Sequence, residues 1–102
     1  MTNISSEELK SRLDAGEKIN LLDVRQPEET AEYNIGGIAL PLGLIQSMQT
    51  DKIEGWRDEE IVCYCRSGNR SGIAALLLEE MGFADVKNLA GGMLKWKEKY
   101  EK

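Results

Sequence analysis

A cysteine, two arginines and the small residues between them, Cys65-Arg66-Ser67-Gly68-Asn69-Arg70-Ser71, form the segment of this sequence best equipped for chemistry. Both arginines fall in a stretch of eighteen residues, between Glu60 and Glu79, that has no acidic side chain, although the chain as a whole has 18 acidic against 13 basic residues and a formal charge of −5. The local field is positive. Ser67, Gly68 and Asn69 let a backbone curl tightly with its amides turned inward, and a helix from Ser71 adds unpaired N–H groups and the positive end of its dipole. The segment reads as an anion cradle, and a cysteine at its entrance has its thiolate stabilised, with a pKa below the free value of about 8.5. Such a thiolate needs no general base. The chain has no histidine, which removes Cys-His and Ser-His activation and most zinc sites.

Cys63 is the only other cysteine. A cysteine within an apolar strand is by default a small buried hydrophobe; the arginines set Cys65 apart from that default, and Cys63 keeps it. On one strand their Cα atoms would stand about 6.5 Å apart, near the upper limit for a disulfide. Two cysteines with no second pair do not make a metal site, so no metal and no cofactor are expected. Free thiols fit a cytoplasmic chain.

The elements that must position this segment follow from the hydrophobic pattern. Asn3-Ile4-Ser5 reads as an edge strand, and Ser5 with Glu8 as a capping box opening a helix through Leu9 and Leu13 to Gly16. Ile19–Val24 suits a buried strand, with a brief helix Glu28–Tyr33 after Pro27. Ile38–Pro41 is a short strand, and Leu42–Met48 a helix with Leu42, Ile45 and Met48 inward. Thr50–Glu60 can be helix or loop. Glu60–Tyr64, without Gly or Pro, is the central strand. Ser71–Met81 is a helix apolar on nearly every face, hence deeply packed, with Gly82 ending it. Phe83–Leu89 is a last strand, Gly91-Gly92 a turn, and Met93–Tyr100 an amphipathic helix pairing Met93 with Trp96 and Lys97 with Glu101.

Strand and helix patterns thus alternate with short connections, which favours an α/β class: an open parallel sheet with helices on both faces. Ligands in such sheets bind beyond the carboxyl ends of the strands, where Cys65 falls. Asp23 and Arg25, after the second strand, are read as support of the site: Arg25 bound to Glu28, Glu29 or Glu32, and Asp23 directed to the active loop. The 102 residues make one domain, residues 1–102, in which folding buries about 65% of the extended-chain surface. Charges scattered through Met1–Asn20 leave no leader or membrane span to be read there. The acidic balance argues against nucleic-acid or membrane partners.

The segment I-V-C-Y-C-R-S-G-N-R-S resembles the active-site loop of the rhodanese family of sulfurtransferases, particularly its small single-domain members. L-L-D-V-R-Q-P-E-E with Glu32-Tyr33 looks like the family's first signature, I-G-G-I-A-L-P-L like its second and L-A-G-G-M-L-K-W like its C-terminal one. The resemblance covers almost the whole chain. Many members have a histidine before the Gly-Ile turn, where this chain has Asn34-Ile35-Gly36-Gly37; the difference bears on the packing of that turn, not on the sulfur cradle. What the resemblance implies is a single rhodanese-like domain with an open five-stranded parallel sheet, a persulfide carried on Cys65, and substrate binding by Arg66, Ser67, Gly68, Asn69, Arg70 and Ser71. The implied partners are a small anionic sulfur donor such as thiosulfate and a thiol, a cyanide-like acceptor or a protein persulfide. The alternative is a sulfur-carrier or partner-binding module with little turnover on thiosulfate. Phosphatase or arsenate reductase chemistry ranks behind both: related phosphatases place five residues between cysteine and arginine, and this chain places four.

Overall fold

The computed structural model describes residues 1–101. Strands β1 (Thr2–Ile4), β2 (Asn20–Asp23), β3 (Ile38–Ala39), β4 (Glu60–Tyr64) and β5 (Asp85–Leu89) form one sheet in the order β1-β5-β4-β2-β3. Every pairing is parallel. Helices α1 (Ser6–Asp14), α2 (Pro27–Glu32), α3 (Leu42–Gln46) and α4 (Asn69–Glu80) and a 3-10 helix (Asp51–Trp56) make the connections, and α5 (Gly92–Tyr100) follows β5. The expected α/β architecture is present. No helix among the described residues is long and apolar enough to cross a membrane.

The two-residue period of β4 divides the core. Ile61, Cys63 and Cys65 belong to the layer that includes Ala74, Ala75 and Leu78 of α4, Ile45 of α3 and Ile53 of the 3-10 helix. Val62 and Tyr64 belong to the other, with Leu9 of α1 and Met93 and Trp96 of α5. Because β4 lies between β5 and β2 and is covered on both faces, its residues Ile61 to Tyr64 are buried, as is Cys65 just beyond it. Parity therefore directs Cys65 toward the face where α4 starts.

Local signals explain most boundaries. Ser5 accepts the amide of Glu8 at 3.0 Å and starts α1; Pro27 is the first residue of α2, and Glu29 accepts the Gln26 amide at 3.0 Å. Four expectations are corrected. Helix α4 begins at Asn69, not Ser71, because Gly68 at φ 103° turns the chain into the helix two residues earlier. Its outer face is open to solvent, with Ile73 48% and Leu76 51% exposed, since only one side of α4 meets the sheet. Helix α3 stops at Gln46, and Met48, expected inward, lies at φ 61° and is 72% exposed. Lys97 sits over the Tyr33 ring, 4.7 Å from its centre, rather than pairing with Glu101. The undecided Thr50–Glu60 segment holds the 3-10 helix, anchored by buried Ile53.

The turn at Asn34-Ile35-Gly36-Gly37 is held by its own Asn34 side chain and by β4. Asn34 accepts the Gly36 amide at 2.9 Å and donates to the Thr30 carbonyl at 3.0 Å. The buried Tyr64 hydroxyl donates to the Gly36 carbonyl at 2.9 Å.

Candidate active site

Cys65 is the first residue beyond β4, and its side chain lies under the first turn of α4. Its Sγ receives the Gly68 amide at 3.0 Å, the Ser71 amide at 3.4 Å, and lies 3.3 Å from the Ser71 hydroxyl. The residue is 1% exposed. Burial pushes the thiol pKa up, but the Ser71 hydroxyl and the amides of Ser71, Gly68 and Ser67 outweigh it, so the net displacement is downward. Cys63, two residues back, has no such donors, and burial drives its thiol far up. In the folded protein Cys65 is therefore expected to react with a small alkylating agent at neutral pH while Cys63 stays unmodified, and both to react once the chain is unfolded. Peptide mass mapping checks this; modification of Cys63 first in the folded state would place the reactive thiol wrongly.

The loop's carbonyls are turned away from the sulfur and used elsewhere. Those of Cys65 and Arg66 accept the Met93 and Leu94 amides of α5, each at 2.9 Å. That contact needs a glycine at position 92: at φ 56°, a Cβ there would stand 2.5 Å from the Cys65 carbonyl oxygen and 2.6 Å from that of Arg66. The Gly68 carbonyl accepts from Asn88 Nδ2 at 3.2 Å. With these carbonyls occupied outside, the Gly68 and Ser71 amides face the sulfur, and those of Asn69 and Arg70, in the first turn of α4, have no partner within the helix.

The charged residues are arranged differently from the expectation. Arg25 does not reach Glu28, Glu29 or Glu32. It forks onto Asp23, Nε to Oδ1 at 2.9 Å and NH2 to Oδ2 at 2.8 Å, because a two-residue offset past the strand end returns its guanidinium to β2. Asp23 also accepts the Arg25 amide and the Thr30 hydroxyl, so its oxygens hold α2 rather than the active loop. Glu29 is taken by Arg70 instead, in a two-armed pair at 2.7 and 2.8 Å. The Arg70 guanidinium holds the Glu29 carboxyl down to about 2. Arg66 is exposed and makes no salt bridge among the described residues. With Lys97, Glu32, Tyr33 and Leu94 it lines a cavity of ≈130 Å³ beside the loop.

Residues 5–99 match the rhodanese-like domain model. The chain belongs to the rhodanese family. A sulfurtransferase of Allochromatium vinosum is 38% identical over 97 residues, covering 94% of this chain and 88% of that protein. YrkF of Bacillus subtilis, named as a sulfur carrier, is 37% identical over 99 residues; the match covers 96% of this chain and only 52% of YrkF. The chain thus spans about half the length of that relative. Among solved structures, the human single-domain sulfurtransferase TSTD1 superposes with a TM-score of 0.83 at 27% identity, covering 99% of both chains. These relatives support a sulfurtransferase or sulfur-carrier role for this rhodanese domain.

Asn88, Glu29 and Gly92 have site contacts that sequence reasoning did not assign. Gly92 carried a signal in its Gly-Gly pair. From sequence Glu29 reads only as a partner for Arg25, and nothing in the pattern of β5 marks Asn88.

Proposed function

We propose that the chain moves sulfane sulfur through a persulfide on Cys65. The observation that carries this reading is the Cys65 sulfur within reach of the Gly68 and Ser71 amides and the Ser71 hydroxyl, at the start of α4. The thiolate attacks the outer sulfur of thiosulfate; a new S–S bond forms to Cys65, the donor's S–S bond breaks, and sulfite leaves with the electron pair. No proton is required. An acceptor such as cyanide or a thiolate then attacks the outer sulfur and releases the Cys65 thiolate. Amides from Ser67 to Ser71 hold the transferred sulfur's charge in both halves. In this reading the four residues between Cys65 and Arg70, one fewer than in the related phosphatase loops, suit a single sulfur atom rather than a phosphate.

Arg66 is the donor contact in this scheme. Its charge is uncompensated by a salt bridge among the described residues, and it lines the cavity beside the loop, whereas the Arg70 guanidinium ties the loop to Glu29 of α2. Arg66→Lys keeps the charge but loses the fork that grips two sulfonate oxygens. We expect a half-saturating thiosulfate concentration raised about tenfold with turnover at saturation changed about twofold or less. Steady-state kinetics decide it: an unchanged half-saturating concentration removes Arg66 from donor binding.

A second reading, sulfur carriage with slow turnover on small donors, is favoured by the burial of Cys65 and by the likeness to YrkF. Intact mass after exposure to thiosulfate, and separately to a protein persulfide, tests both. One added sulfur from thiosulfate, removed by cyanide as thiocyanate, supports the enzyme; addition only from the protein persulfide supports the carrier. Addition from neither overturns the persulfide.

A further inference from the structure

The hydroxyl of Ser71 has two acceptors within reach and one proton to give. Its Oγ lies 3.3 Å from Cys65 Sγ and 2.5 Å from Oδ1 of Asn88, and a hydroxyl donates a single hydrogen. Ser71 is fully buried and Asn88 is 8% exposed, so bulk solvent does not relieve the conflict. The amide of Asn88 is held in one orientation. Its Nδ2 donates to the Gly68 carbonyl at 3.2 Å and to Oδ1 of Asn3 at 3.3 Å, which leaves Oδ1, an acceptor only, facing Ser71. When Ser71 donates to Asn88, its oxygen turns a lone pair to Cys65. That suits a thiol, whose S–H can donate to it. A thiolate needs the proton for itself.

We infer that Asn88 is a positioning residue that competes with the Cys65 thiolate for the single hydroxyl proton of Ser71. Ionisation of Cys65 turns the Ser71 O–H to sulfur and leaves Asn88 Oδ1 as a buried acceptor without a donor, which is unfavourable. Asn88 therefore restrains the thiolate that the loop amides promote. One consequence rests on the proposed function: once Cys65 carries a sulfur, the negative charge moves to the outer atom, the inner sulfur becomes a weak acceptor, and the Ser71 proton returns to Asn88. The same side chain then favours the sulfur-bearing state over the bare thiolate.

Several groups surround Cys65 and stay in place when Asn88 is changed. Arg66 follows it in the chain, and Arg70 of α4 is paired with Glu29 of α2. At the end of β2, Asp23 and Arg25 compensate each other. Cys63 lies beneath on β4, while β5 presents uncharged Asn88 and α5 presents Gly92 and Met93.

The test is the rate of Cys65 alkylation against pH, with the modified cysteine located by peptide mass. Asn88→Ala removes the competitor and is expected to lower the apparent pKa of Cys65 by about one unit, roughly a tenfold larger thiolate fraction on the acid side. A purely structural Asn88, bracing the Gly68 carbonyl, has the opposite sign, because loosened amides let the pKa rise. Ser71→Ala is expected to raise it, and the double variant Ser71→Ala/Asn88→Ala to match Ser71→Ala alone, since no proton is left to compete for. Asn88→Asp preserves the volume and strengthens the acceptor. It is expected to raise the pKa, by more with Ser71 present than absent, and it carries the test should the alanine variant not fold. A pKa that is unchanged or higher in Asn88→Ala overturns the inference, as does an Asn88 effect of equal size without the Ser71 hydroxyl. No sulfur donor enters these measurements, so their outcome is separate from whether Cys65 forms a persulfide.

Discussion

Cys65→Ser is expected to abolish sulfur uptake: after exposure to thiosulfate the intact variant gains no sulfur, and thiocyanate formation from thiosulfate and cyanide falls to the rate without protein. A serine hydroxyl at this position does not ionise near neutral pH, and no histidine exists in the chain to take its proton. The change removes one buried sulfur without altering the loop, so the fold is expected to persist and the loss to be chemical. Cys63 cannot substitute, because burial pushes its thiol up with none of the donors that offset burial at Cys65. The decisive measurement is intact mass paired with a circular dichroism spectrum of the same sample. A folded Cys65→Ser protein that still gains sulfur would locate the carrier atom elsewhere and remove the ring of amides from the mechanism.

That the position of Cys65 in the loop after β4 is legible from sequence, while the groups bracing that loop are not, has a physical basis. Glu60–Tyr64 announces a central strand by its composition, and the cysteine that follows it occupies the place where parallel sheets put their ligands. Ser67, Gly68 and Asn69 signal a tight turn by residue type alone. The sequence pattern places the start of α4 two residues late because Asn69 is a weak helix former and the small residues before it read as loop; the left-handed Gly68 is what starts the helix at Asn69.

The supports, by contrast, depend on which chain segments the topology brings together. Ser71 meets Asn88 because β5 pairs with β4 in register, Cys63 beside Asn88, which brings the end of β5 under the helix that follows β4. Arg70 meets Glu29, forty-one residues earlier, because α2 follows β2 and β2 is the other neighbour of β4. Neither pairing has a local pattern. The open face of α4 at Ile73 and Leu76 was missed for a related reason: apolar composition states that a helix can be buried, and only its neighbours decide on how many sides.

Asp23→Asn is expected to lower the melting temperature at neutral pH by at least about 12 °C. The pair it breaks is buried, Asp23 1% and Arg25 5% exposed, and removing one partner leaves an uncompensated charge at a cost of about 3–5 kcal/mol, in a domain whose total stability is on the order of 5–15. Arg25 also donates to the Tyr33 carbonyl at 2.6 Å, so the C-terminal half of α2, held at Thr30 and Tyr33, loosens from β2 when the guanidinium is unsettled. Replacing both residues, Asp23→Leu with Arg25→Met, is expected to cost less than Asp23→Asn alone, because no charge is then stranded.

The pH dependence has a definite sign. Burial pushes the Asp23 carboxyl up, but its bonds from Arg25 and Thr30 outweigh that and hold it below its unfolded value. A depressed carboxyl contributes stability that is present above the unfolded pKa, about 3.9, and is lost as pH falls through the folded value. Glu29, held by Arg70, and Glu60, held by Arg12, both lie at about 2 and act in the same direction. Wild-type melting temperature should therefore fall steeply between about pH 5 and pH 2, and the Asp23→Asn curve should begin lower and fall less. The site should respond as well: Asp23 holds Thr30, α2 carries Glu29, and Glu29 holds Arg70 in the first turn of the helix above Cys65. Alkylation of Cys65 in Asp23→Asn should accordingly need a higher pH than in the wild type. A variant that melts like the wild type at pH 7, or keeps the full acid slope, would show that this buried pair does not hold α2 against the sheet.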